Sequence, residues 1–237
     1  MGRQRDATTT DKDETPHYHG HRERLRERLL DGGTAALADY ELLEFLLYAA
    51  VPRQDTKPLA KALIARFGSF AGVLAAERDA LLAMPGMGKA SAAAILSVRE
   101  AGLRMLRAEV RDMPVLDRWQ AVLDYCTARL GHIDHEEFYL LFLDRKNAVI
   151  ADERQQRGTI DHTPVYPREV VKRALELGAS ALIMVHNHPS GDTTPSRADI
   201  EMTRHVANAA KLVNVTLHDH VIIGRHGHAS FKSLGLL

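Results

Sequence analysis

The chain changes texture near residue 112, and that change limits the folds open to it. Before it, the pattern is helical throughout. Leu25, Leu29 and Leu30 recur at helical intervals, and Asp39 stands ahead of Leu42, Leu43, Leu46 and Leu47 as their candidate cap. Pro52 ends that segment, Pro58 opens 59–67 at a first-turn position, and Gly68 closes it. Residues 80–84 read as a further short helix, stopped by Pro85-Gly86-Met87-Gly88, and a long helix follows from Lys89 to about Ala108. After residue 112 short apolar runs appear instead. Residues 138–143, 148–151 and 181–185 read as strands, residues 168–177 and 199–212 as helices, and 215–223 as a strand with a polar interruption at His218–His220. Strands that alternate with helices predict an α/β domain behind an all-helical one. The expected division is a disordered tail over 1–20, a helical domain over 21–111 and the α/β domain over 112–237, with 109–119 as the linker.

Charge and cysteine usage narrow the function classes. Lys+Arg and Asp+Glu both number 31, so a uniformly basic nucleic-acid coat is excluded. The balance is uneven, however: residues 53–111 hold ten Lys/Arg against five Asp/Glu, which concentrates positive charge around the 85–89 turn. Cys126 is the single cysteine, which excludes an internal disulfide and a cysteine-rich zinc site. Any metal must be held by carboxylates and some of the 13 His. Apolar runs are far too short to span a bilayer, and residues 1–16 lack the apolar core of a signal peptide. The expectation is a cytoplasmic protein with no membrane partner; its oligomeric state is not readable. In the tail, His17-Tyr18-His19-Gly20-His21 could bind metal adventitiously, but no rigid element is predicted to hold these imidazoles.

The segment 186–199 carries the chemistry. His186 and His188, at i and i+2 on extended backbone leaving an apolar strand, point to the same side. Imidazoles so placed can both reach one cation at about 2.0–2.1 Å. Asp199 lies eleven positions beyond His188, and a loop of that length can return it as a third ligand. Two His and one carboxylate leave a position open for water, as catalytic zinc sites do. The same residues allow a plainer reading. Ser196-x-x-Asp199 is a capping box, and Pro189, Gly191 and Pro195 are ordinary loop residues. The contiguous His-Asn-His tripeptide is no sign of the nuclease type named for those letters.

The whole string His-x-His-Pro-Ser-Gly-x-x-x-Pro-Ser-x-x-Asp resembles the JAMM (MPN+) metallopeptidase motif, and its His-Asn-His-Pro-Ser-Gly form resembles the RadC family. Arg157-Gly158-Thr159-Ile160, Tyr166-Pro167-Arg168-Glu169 and Asp219-His220-Val221-Ile222-Ile223-Gly224 agree, as do Leu42-Leu43-Glu44-Phe45, Arg66-Phe67-Gly68-Ser69 and Met84-Pro85-Gly86-Met87-Gly88. The resemblance implies a two-domain α+β protein, with a helix-hairpin-helix-like domain before a JAMM/MPN-like, cytidine-deaminase-like domain. It implies zinc held by His186, His188 and Asp199, and hydrolysis of a peptide or isopeptide bond in a peptide or protein substrate. In the family pattern a Glu just before an upstream apolar strand is the general base. Glu137 takes that place, Glu136 is turned to the other face by strand alternation, and Glu153 is a rival on the second strand. Ser196 matches the Ser that stabilises the oxyanion, and His220 is expected behind the ligands rather than among them.

Met84–Lys89 resembles the hairpin of a helix-hairpin-helix element. Gly86 and Gly88 would let a phosphate approach the backbone, the amides of the following helix would face it, and Lys89 would add charge. Such a hairpin reads backbone rather than base sequence, and it serves equally as a protein contact. Two functions are therefore carried forward: a zinc metallohydrolase, and a DNA-associated repair or recombination accessory protein whose metal site is structural or vestigial.

Overall fold

The computed structural model describes residues 18–32, 37–52, 54–111, 114–115, 117–157 and 165–237. The N-terminal half consists of helices α1 (Tyr18–Gly32), α2 (Asp39–Ala50), α3 (Lys57–Phe67), α4 (Phe70–Ala75), α5 (Arg78–Leu82) and α6 (Lys89–Val110). Helix α1 begins inside the segment expected to be tail; residues 1–17 lie outside the described residues. From the histidine cluster of that segment, His21 places Nε2 3.0 Å from Oε1 of Glu44, whose side chain is fully buried. Asp39 is not the cap of α2. Ala38 holds the cap position, and the Glu41 carboxylate accepts its N–H at 3.0 Å. Pro58 and Gly68 act as expected, the latter ending α3 at φ +84° where a side chain would be strained.

Leu43, Leu47, Leu63, Val73, Leu81 and Ile95 form the core of this half. Helix α6 does not stop there. Its 22 residues span roughly 33 Å, so Ala92 and Ile95 sit in the helical core while Leu103 and Val110 pack into a second core. That core belongs to α7 (Trp119–Leu130) and one face of the sheet. The stretch expected as a linker is docked rather than loose. Val110 and Val115 are buried, and isolated bridges join Arg111 to Val149 and Pro114 to Ala148. The covalent change of texture and the packing boundary therefore differ, because one helix serves both cores.

The C-terminal half adds β1 (Glu137–Leu143), β2 (Val149–Arg157), α8 (Pro167–Glu176), β3 (Ala181–Asn187), α9 (Arg197–Lys211), β4 (Thr216–Ile223) and β5 (His228–Ser230). The sheet order is β2-β1-β3-β4-β5, with only β3 and β4 parallel. This is the two-domain α+β architecture. Strand alternation divides the sheet residues cleanly between two layers. Tyr139, Leu141, Leu143, Ile183 and Val185 face α6 and α7; Phe138, Leu140, Phe142, Leu182 and Met184 face α8 and α9. The polar residues of 218–220 do not interrupt β4, since Asp219 and His220 are buried and bonded. Cys126 lies in the first layer, where burial pushes its thiol up to about 12 and leaves it protonated. No helix among the described residues is long and apolar enough to cross a membrane.

Candidate metal centre

Strand β3 ends at Asn187, in the middle of the sheet, and delivers His186 and His188 to the face shared with α8 and α9. Helix α9 begins after Ser196, and Asp199 stands in its first turn. The three residues offer ligand atoms that all lie within 4.8 Å of one another, a set that could hold a metal ion. Nε2 of His186 is 3.0 Å from Nε2 of His188 and 3.3 Å from Oδ1 of Asp199; Nε2 of His188 is 3.6 Å from Oδ2.

The hydrogen bonds behind these atoms fix where the protons are. Thr203 Oγ1 donates to the Asp199 backbone carbonyl at 2.6 Å, and a carbonyl can only accept. Thr203 must then accept from Nδ1 of His220, 2.6 Å away. Nε2 of His220 is left as an acceptor and takes the Nδ1 proton of His186 at 2.8 Å. Nδ1 of His188 likewise donates to the carbonyl of Asp192 at 2.6 Å. Both Nε2 lone pairs thus face each other and the Asp199 carboxylate. Four acceptor atoms that converge in this way demand a cation, either a proton on His188 or a metal ion. The chemistry of the donor set fits zinc, which takes neutral imidazole and carboxylate together.

Electrostatics agree with this reading. Burial alone would raise the Asp199 carboxyl, but His186 and His188 outweigh it and hold the group well below the usual range, through hydrogen bonding that needs a proton on Nε2 wherever no metal ion takes its place. The Asp199 hydrogen bond raises His188 against the opposing effect of burial, with smaller contributions from the Asp192 backbone and the Glu136 charge. Burial is the main effect that lowers His220 well below an ordinary histidine and keeps it neutral. Phe138 and Phe231 pack against this group of rings, with centroids 5.8 Å from His186 and 4.4 Å from His220 respectively.

The register of the sheet places the expected base, Glu137, away from the histidines. Phe138 pairs with His186 across β1 and β3 and stacks on its ring, so Phe138 is on the histidine face and Glu137 on the opposite one. Glu137 is buried on the far side, accepting from Arg154 Nη1 at 3.0 Å and beside His135 Nε2 at 3.1 Å. Glu136 alternates back to the histidine face, and its charge is felt at His188. Glu153 is occupied by a two-pronged pair with Arg173, Nη2 to Oε1 at 2.6 Å and Nε to Oε2 at 2.8 Å, which ties α8 to β2. Ser196 is beside the cluster, as expected, but its hydroxyl already donates to Oδ2 of Asp199 at 2.6 Å. Its oxygen accepts the Asp199 N–H at 3.1 Å and its own N–H reaches Oδ2 at 2.8 Å. The capping box and the ligand set are thus one structure: the cap holds the carboxylate in place.

Two residues had no role assigned from sequence. Asn187 is buried between the histidines. Its Oδ1 accepts the Glu137 N–H at 2.8 Å and its Nδ2 donates to the His135 carbonyl at 2.9 Å. The amide staples the segment carrying Glu136 to β3. Thr203, one turn into α9 from Asp199, ends the proton chain; an i, i+4 hydroxyl after a ligand was the available signal. In the helical half, Gly86 has φ +85°, Gly88 caps α6 and Lys89 is its first residue, all three exposed. The hollow at Pro85 and Gly86 is lined by residues of the helical half alone, apart from the histidine cluster.

Sheet, flanking helices and a His/His/Asp cluster at a strand end make an α+β domain with a candidate metal site, joined to a helical one. Residues 116–236 match the family model of the RadC-like JAB domain, and residues 19–93 that of the UPF0758 N-terminal domain. The chain belongs to the RadC family. The 22 residues between the two matches, 94–115, hold most of α6, the helix shared by both cores.

Proposed function

We propose that the chain is a zinc-dependent hydrolase of amide bonds, peptide or isopeptide, in a peptide or protein substrate. The observation that carries this reading is the convergence of Nε2 of His186, Nε2 of His188 and the Asp199 carboxylate. His186, His188 and Asp199 would hold zinc. When bound there, zinc supplies a Lewis acid that polarises a carbonyl and lowers the pKa of a water. Glu136 accepts that water's proton and returns it to the leaving amine. Ser196 and the first turn of α9 keep Asp199 oriented, while His220 and Thr203 keep His186 in the tautomer that offers Nε2.

Elemental analysis of purified protein should give about one zinc per chain, and His186→Ala with His188→Ala should lose it. Metal-loaded protein is then incubated with a proteome-derived peptide and protein library, and products are read by mass spectrometry. Cleavage that stops on chelation, returns with zinc and is missing from the double variant supports the reading. Full zinc occupancy with no metal-dependent product would overturn the hydrolase assignment and favour a structural metal site.

The exposed turn of Gly86, Gly88 and Lys89 favours a second reading for the helical half. Its amides and ammonium group suit weak contact with a nucleic-acid backbone, and such contact is compatible with either fate of the metal site.

A further inference from the structure

A second group of side chains brings possible metal ligands together. Glu77, His135 and Glu137 each place one ligand atom within 4.8 Å of the other two. His135 and Glu137 stand at i and i+2 where the chain enters β1, so they point to one side, as His186 and His188 do where it leaves β3. Phe138 pairs with His186, so β1 begins beside the end of β3. The two groups therefore lie at the same end of the sheet, on opposite faces. Asn187 is bonded to the Glu137 N–H and the His135 carbonyl, and it holds the segment of the second group in place.

The third member comes from the other half of the chain. Glu77 is the cap residue of α5 and lines two interdomain hollows, one shared with Ile133 and Asp134, the other with Glu137 and Arg154. His135 and Glu137 are buried, and Glu77 is half-buried. The helical half thus sends one carboxylate across the seam to two buried side chains of the sheet domain.

The proton positions again call for a cation. Nδ1 of His135 lies 3.0 Å from Oδ1 of Asp134, a carboxylate oxygen that can only accept, so Nδ1 carries a proton. Nε2 lies 3.1 Å from Oε1 of Glu137, which also can only accept. A neutral His135 would set its lone pair against that oxygen. Either a second proton or a metal ion must stand between them. A proton on Nε2 serves one oxygen, whereas a metal ion serves Nε2 and both carboxylates at once. The contacts to the Glu137 side chain, from His135 and from Arg154 at 3.0 Å, both fall on Oε1; no described residue donates to Oε2. Asp134 behind His135 completes the carboxylate–histidine–metal order by which proteins orient a metal-bound imidazole.

We propose that Glu77, His135 and Glu137 form a second zinc site, which clasps the helical half to the start of β1. The site does not rest on the hydrolase reading. One imidazole with two carboxylates suits zinc better than magnesium or calcium, which take oxygen ligands. Arg154 competes for the Glu137 carboxylate, so this site binds zinc less tightly than the cluster of His186, His188 and Asp199. It fills on titration and empties on purification, which keeps the isolated chain at about one zinc. Asn187 already holds residues 135–137, so the effect of occupancy falls on the seam between the halves rather than on Glu136.

The test uses the full chain with His186→Ala and His188→Ala, stripped of metal, so that the first site is not counted. Zinc is titrated against a chromophoric chelator, and thermal unfolding is followed by circular dichroism with and without zinc. This protein should take up about one zinc per chain more than the same protein with Glu77→Gln added. Its unfolding midpoint should rise by about 5–10 °C at a hundredfold excess of zinc over Kd, and Glu77→Gln should abolish the rise. Glu77 is half-buried and Gln keeps its shape, so that variant should fold; His135→Gln repeats the comparison from the other half. Arg154→Gln should tighten zinc uptake, because it removes the competitor for Glu137. Equal uptake and an equal rise with and without Glu77→Gln would overturn the proposal and leave an ion-pair cluster of His135, Glu137 and Arg154. Uptake that is unchanged or weaker in Arg154→Gln would overturn it as well.

Discussion

His220 accepts the Nδ1 proton of His186 at 2.8 Å, and it does so only because its own Nδ1 is committed to Thr203 at 2.6 Å. The tautomer of His186 is therefore set three hydrogen bonds away, by a backbone carbonyl of α9 that can only accept. The same helix supplies Asp199, so ligand and tautomer are fixed by one element.

That relationship predicts the effect of changes at residues that touch no metal. Thr203→Val keeps the volume and removes the hydroxyl, leaving His220 free to adopt the other tautomer. Zinc affinity, measured by competition with a chelator, should fall about 10–100-fold, the range found when partners behind metal ligands are removed. His220→Ala should fall further, because it also leaves the buried N–H of His186 unmet. Wild-type affinity in Thr203→Val would mean that the tautomer is set from elsewhere.

The two adjacent glutamates should separate function from stability. Glu136→Gln cannot accept a proton and should keep zinc while lowering turnover at least ~10²-fold. Glu137→Gln should keep turnover and lower stability instead, because the carboxylate that Arg154 and His135 face is gone. The cost is about 1–3 kcal/mol, at the lower end of buried pairs because Arg154 is 48% exposed. Turnover on any substrate from the library screen, beside chemical denaturation, tests both. Loss of turnover in Glu137→Gln alone would reverse the assignment.

These two residues also mark where the sequence was legible. Strand alternation by itself puts Glu136 and Glu137 on opposite faces. It does not say which face His186 occupies, because that depends on the register of β1 against β3, a long-range pairing. The clustering of the three candidate ligands was legible, since His186 and His188 share one strand end and Asp199 follows within one loop. The Ser196 cap was legible too, but as an alternative to a metal site, whereas in the structure it holds the carboxylate of a candidate one. The helices before residue 110 followed from their prolines, glycines and leucine spacing. The double duty of α6 did not, because a helix's sequence period shows which residues are apolar, not which of two cores receives each turn. Asn187 looked like part of a string; its role lies in bonds to Glu137 and His135, some 50 residues away in sequence.

Acid should loosen the seam between α8 and β2. The hydrogen bonds from Arg173 lower the Glu153 carboxyl below its ordinary value, against a smaller opposing effect of burial. A carboxyl depressed in the folded state contributes stability above its unfolded pKa, near 4.3, and loses it as pH falls through the folded value. Glu153→Gln should therefore cost about 0.5–1 kcal/mol at pH 7, a modest figure because the two side chains are 30% and 39% exposed. The difference from wild type should shrink to nothing below the folded pKa. Urea denaturation at pH 7 and at pH 3 measures both; a difference that does not narrow at pH 3 would assign the effect to packing rather than charge.

The last prediction concerns the exposed turn before α6. Full-length protein should bind duplex or branched DNA weakly and with little sequence preference. The turn offers the amides at the start of α6 and the Lys89 ammonium, and a phosphate contact carries no base information. Few phosphates can be reached, so the affinity should fall with salt at a shallow slope, about −0.9 per phosphate neutralised. Lys89→Glu should weaken binding to all sequences alike and reduce that slope by about one. Lys89 is exposed and makes no part of the helical core, so the variant should fold as wild type by circular dichroism. Gly86→Val is the harsher probe, since Gly86 sits at φ +85°, where a branched side chain is strained. Arg225→Gln serves as the contrast, because it removes one exposed positive charge from the C-terminal half and leaves the turn untouched. DNA binding lost in Lys89→Glu and kept in Arg225→Gln places the contact at the turn. No binding by the folded wild-type chain at low salt would make the turn a packing or protein-contact element and would leave the reading of the His186, His188 and Asp199 cluster untouched.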